Sequence, residues 1–165
     1  MHRNVLKVVA LLGALALIVA LAGSATAGNR PLVAVLRGAN EVPGPGDADG
    51  SGVALIRRVS VDNGTDKVCW LIVTNRIALP ATGAHIHLGA AGVAGPVQVT
   101  LGNPTKVPPV MGRGVGMSRG CTDPASAVPA YTDAQLDAIW ANPKGFYVNV
   151  HNAVYPAGAI RGQLR

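Results

Sequence analysis

Three of the four histidines in this 165-residue chain fall in two short, β-branched stretches. His85 and His87 stand in Gly83-Ala84-His85-Ile86-His87-Leu88-Gly89, and His151 closes Phe146-Tyr147-Val148-Asn149-Val150-His151. Side chains alternate faces along an extended chain, so residues two apart share a side. His85 and His87 then face one way, and Ala84, Ile86 and Leu88 the other. The second stretch divides alike, setting Tyr147, Asn149 and His151 against Phe146, Val148 and Val150. Paired in one sheet, the two stretches gather three imidazoles on its outer side. Two ligands at i and i+2 plus a third from a neighbouring strand suit a tetrahedral or trigonal copper or zinc ion with one position open. The same residues equally suit a hydrogen-bonded cluster, in which neutral imidazoles brace loops and pair with Asn149 and Tyr147.

Other spacings offer weaker chemistry. Asp47-Ala48-Asp49-Gly50-Ser51-Gly52 opens like a calcium loop, but Arg58 stands where a bidentate Glu is needed and no helical pattern flanks it, so a polar turn is expected. Gly116-Met117-Ser118-Arg119-Gly120 fits G-x-S-x-G, yet it lies in a Gly- and Pro-rich stretch of a chain too small for the α/β sheet that a nucleophile elbow requires. Cys69 and Cys121 are the only cysteines and form no C-x-x-C, so in an exported chain they are expected to form one disulfide.

The elements that must position these groups are short runs of β-branched residues punctuated by Gly, Pro, Asn and Asp. Strands are expected at 32–37, 52–61, 67–74, 84–88, 96–101, 146–151 and 159–164. Asp62-Asn63-Gly64-Thr65 reads as a tight hairpin, and Asn63 also heads a glycosylation sequon. Residues 102–130 show no periodicity and are expected to be irregular, tied back through Cys121. One helix is expected at 133–141, with Thr132 as N-cap, Gln135 completing a capping box and Tyr131 stapled onto Leu136. The 67–74 run is apolar on both faces, which places it centrally with Trp70 buried. Ile160, Gly162 and Leu164 face the core, so Arg161 and Gln163 share the histidine face, Arg161 roughly opposite Asn149. Seven strands and a late helix argue for an antiparallel sandwich or barrel.

The first 27 residues read as a secretory signal. Arg3 and Lys7 precede an uncharged apolar run, and Ala25-Thr26-Ala27 supplies a cleavage pattern. The run is short for a span, although a retained anchor is the alternative. Residues 28–165 are then one domain. Setting aside Arg3 and Lys7 leaves 12 Lys and Arg against 8 Asp and Glu. These basic residues are scattered and aromatics are few, which argues against nucleic acid as a partner and weakens a carbohydrate-binding reading.

Several stretches together resemble the CHRD domain, named from repeats in chordin and found alone in bacterial secreted proteins. They are Leu36-Arg37-Gly38-Ala39-Asn40-Glu41-Val42-Pro43, the Gly83–Gly89 segment with Gly95-Pro96-Val97, Tyr147-Val148-Asn149-Val150-His151-Asn152, and Pro156-Ala157-Gly158-Ala159-Ile160-Arg161-Gly162-Gln163-Leu164. The family pattern commonly has an acid where this chain has Ala159. The resemblance implies an immunoglobulin-like β-sandwich and an extracellular location, to which the capping pattern adds one short helix near the C-terminal third. A cation at Arg161 would oppose metal binding unless a carboxylate neutralises it, and Glu41, from the first of these stretches, is the expected partner. The expectation is a secreted or surface-retained, non-enzymatic binding or structural module for an extracellular protein or surface ligand. Its alternative is an exported copper- or zinc-binding protein.

Overall fold

The structure, a computed structural model, describes residues 30–62, 64–107 and 115–165. The leader and the central Asn63 of the expected hairpin lie outside these residues. The elements are β1 (Leu32–Arg37), β2 (Ser51–Val59), β3 (Lys67–Asn75), β4 (Gly83–Leu88), β5 (Val97–Thr100), β6 (Thr105–Lys106), β7 (Gly116–Thr122), α1 (Asp133–Ala141), β8 (Phe146–His151) and β9 (Ile160–Gln163). All strand pairs are antiparallel, in the order β5-β4-β8-β9-β1-β2-β3-β7-β6.

This order corrects the expected division into two sheets: among the described residues the nine strands form one sheet. The sheet curls until its penultimate strand β7 reaches the β5 edge, where the Thr122 hydroxyl donates to the Thr100 carbonyl at 2.9 Å. The inward residues of the longer strands fill the enclosed space. Leu32, Ala34, Leu36, Ala54, Ile56, Val68, Ile72, Ile86, Val148, Val150 and Ile160 are all fully buried there. Helix α1 adds Leu136, Ile139 and Trp140 to the same core. The expected capping box is present, Thr132 accepting from the Gln135 amide and Gln135 accepting from that of Thr132. Arg58 on β2 anchors the helix by ion pairs to Asp137 at 2.5 Å and Asp133 at 3.4 Å, and pairs with Asp66 ahead of β3 at 2.6 Å.

Two other expectations change. The stretch 102–130 is not wholly irregular, because β7 pairs with β3 over Thr74 to Val68 and Cys121 faces Cys69 within that ladder. Its Gly-rich sequence carries no alternation; the partner strand and the Cys69–Cys121 disulfide impose the extended form. Trp70 is half-buried rather than buried, leaning on the core with its indole donating to Ser118 at 2.9 Å. The outward residues Leu71 and Val73 are exposed, so β3 lies inside the sheet yet is covered on one face only.

Candidate functional site

Strands β4 and β8 pair in the register that the histidines need. Gly83 faces His151, His85 faces Asn149 and His87 faces Tyr147. The three rings converge, their centroids 5.2 Å apart for His85–His151, 5.5 Å for His85–His87 and 6.4 Å for His87–His151. One ligating nitrogen from each lies within 4.8 Å of the others. Gly83 makes the room, because a Cβ there would stand 2.9 Å from the His85 ring and 3.2 Å from that of His151.

Backbone carbonyls set two of the tautomers. His87 Nδ1 lies 2.8 Å from the Gly95 carbonyl and His151 Nδ1 lies 3.0 Å from that of Pro156. A carbonyl only accepts, so each Nδ1 carries the proton and each Nε2 presents a lone pair. His87 Nε2 is buried without a hydrogen-bond partner among the described residues, and so is His85 Nδ1. His151 Nε2 lies 3.1 Å from the side-chain oxygen of Asn149, and rotation of that amide would let its nitrogen donate instead. A backbone carbonyl that fixes one ring nitrogen while the other stays free, as at His87, is the usual outer support of a metal-binding histidine.

Burial, and then the nearby His151 and His87, hold the His85 imidazolium down to a pKa of about 4. His87 is also lowered, chiefly by burial. Behind the histidines lies a stack: His87 is parallel to Tyr147 at 4.8 Å, and the Arg161 guanidinium sits 3.4 Å from the centre of the Tyr147 ring. Arg161 lies opposite Asn149 as expected, but it is 1% exposed rather than facing solvent. The segment 89–95 covers it, accepting from its guanidinium at the Ala90 and Val93 carbonyls, 2.9 and 2.8 Å away. The Tyr147 hydroxyl and Gln163 clip the same segment through Gly95 and Gly89.

The expected ion pair between Glu41 and Arg161 is not made at contact distance among the described residues; the three ion pairs found all belong to Arg58. Arg161 still acts on Glu41 through space, but burial dominates and pushes that carboxyl up to about 7. Gly158 is essential here, since with φ at +146° a Cβ would stand 2.4 Å from the Glu41 carboxylate.

Four separate stretches therefore meet at one place: the one holding Glu41, the H-x-H strand with Gly95, the Tyr147-to-Asn152 strand, and the Gly158-to-Gln163 return. The sequence matches the CHRD domain family over residues 32–164. The chain belongs to the CHRD domain family. No match was found among curated proteins or among solved structures.

In this CHRD domain the remaining motifs take structural places. Ser118 of the G-x-S-x-G spacing lies within β7 and accepts from Trp70, and four strands separate β7 from β8 and His151 in the sheet order. Asp47 and Asp49 form a tight turn in which the Asp47 carbonyl accepts from the Gly50 amide at 3.0 Å. Burial, then the neighbouring Asp49, raises the Asp47 carboxyl. Sequence reasoning missed Gly83, Gly95 and the Pro156 carbonyl as site-builders; the Gly-Pro pair at Gly95-Pro96 was the visible signal. It also missed a cleft of about 600 Å³ beside Arg161, walled by Val35, Val42 and Leu164 and flanked by Lys144.

Proposed function

We propose that this CHRD domain is a non-enzymatic binding module working outside the cell, with its binding chemistry on the histidine face of β4 and β8. The Cys69–Cys121 disulfide supports an oxidising compartment. No helix among the described residues is long and apolar enough to cross a membrane. The observation that carries the reading is incomplete bonding: a buried face holds the His85 Nδ1 and His87 Nε2 nitrogens, which have no partner among the described residues. Buried polar atoms are ordinarily satisfied, so such a face is suited to a ligand.

A second reading specifies that ligand as copper or zinc, held by His85, His87 and His151. It is favoured by the free Nε2 of His87, whose ring is already fixed by Gly95. Zinc–nitrogen bonds of about 2.0–2.1 Å place ligand nitrogens about 3.3 Å apart. Closing from within 4.8 Å takes only side-chain adjustment. Three neutral donors leave one coordination position for water or a partner's side chain. Metal analysis after dialysis is the test. One copper or zinc per chain, lost in a His85→Ala/His87→Ala/His151→Ala variant that still folds, supports the metal reading. No retention after purification and added metal leaves the module without it.

A further inference from the structure

The outer face of β1, β2, β3 and β7 carries a regular grid of side chains. Val35, Val53, Val73 and Met117 lie directly across from one another in one row, and Val33, Leu55, Leu71 and Arg119 in the next. In the first row all four are 36–46% exposed, a level that leaves an apolar sheet face in water. Such a contiguous patch on a folded domain marks an interaction surface.

Charge says what covers it. None of these four strands contains an Asp or Glu. Arg37, Arg57 and Arg119 share the outward side with the apolar rows, sit at three margins of the grid, and are exposed. Arg58, on the opposite side of β2, is already satisfied by Asp66 and Asp137. The cleft at the Val35 edge prolongs the apolar surface toward the exposed Lys144. An apolar centre with an arginine margin complements a layer that is greasy inside and anionic at its surface. A second copy of this chain would bring like-charged margins together, and a soluble polyanion would leave the apolar centre uncovered.

We propose that this face docks the domain on an anionic lipid bilayer, with the two apolar rows against the acyl boundary and the arginines on the headgroup phosphates. The inference names the surface ligand of the module proposed above. It uses none of the histidines, so metal content and membrane binding can fail separately.

Vesicle flotation tests it, with equimolar phosphatidylglycerol and phosphatidylcholine compared with phosphatidylcholine alone. An Arg57→Glu/Arg119→Glu variant and a Val53→Ser/Val73→Ser variant are carried on the same full chain, so that anything residues 1–29 contribute is common to all. Binding should require the anionic lipid and weaken with salt. Each arginine removed from the surface should weaken it about fivefold, and reversal should weaken it further. The serine pair should also weaken it while leaving the thermal midpoint within a few degrees. Binding unchanged in both variants would overturn the proposal. So would Val53- and Val73-dependent dimers in sedimentation, or binding to soluble polyglutamate with none to vesicles.

Discussion

At the scale of single residues, the site is a set of groups whose protonation is decided by burial. Glu41 and His85 oppose one another in this respect. The Glu41 carboxyl, raised to about 7, holds its proton more tightly folded than unfolded, so its contribution to stability is present at low pH and lost as pH rises from about 4.5 through 7. His85, lowered to about 4, holds its proton less tightly when folded, so its contribution is lost as pH falls from about 6.5 toward 4. The wild-type profile mixes the two, and a substitution separates them. Glu41→Gln should gain thermal midpoint relative to wild type between pH 5 and pH 8; melts at both pH values check it, and a constant difference would remove the buried-acid account. Arg161 sets a second expectation. Its loss removes the guanidinium donor from the Val93 carbonyl, leaves the Ala90 carbonyl with only the Val93 amide, and uncaps the Tyr147 ring. Arg161→Ala should cost about 2–4 kcal/mol in urea denaturation, with faster amide exchange in residues 89–95.

Among the elements, β3 divides sharply between its two faces. Ile72 is fully buried, whereas its neighbour Leu71 is 39% exposed. Ile72→Ala should destabilise by about 2–5 kcal/mol and Leu71→Ala by under about 1 kcal/mol, both read by chemical denaturation. Equal losses would mean the outer face is covered after all. The α1 N-terminus offers a smaller effect. Thr132→Ala removes the acceptor for the Gln135 amide and should cost about 0.5–2 kcal/mol in the same assay.

For the whole molecule, the disulfide joins residues 52 apart in sequence and directly opposite in the β3–β7 ladder. In the chain-entropy account, closing such a span is worth about 4 kcal/mol. A Cys69→Ala/Cys121→Ala variant should lose up to about that much, with β7 the first strand to exchange its amides. Unreduced protein should take up no alkylating label.

The alternation of His85, Ile86 and His87 and of Asn149, Val150 and His151 was legible in the sequence because strand parity is local: each side chain's face follows from its own position. The bounds of β1, β8 and α1 were legible for the same reason, the helix through its capping residues. Whether β4 and β8 were neighbours, and in what register, was not written in either stretch. That required the curled sheet, which sets Gly83 against His151 and brings the rings together. Strand β7 was hidden because its Gly-rich residues have little preference of their own and take their form from β3. Glu41 and Arg161 are nominated and paired by the sequence, but among the described residues they make no ion pair. Their separation depends on how segment 89–95 folds over the guanidinium and supplies it with carbonyls, and a buried cation goes to whatever acceptors the tertiary structure brings within reach.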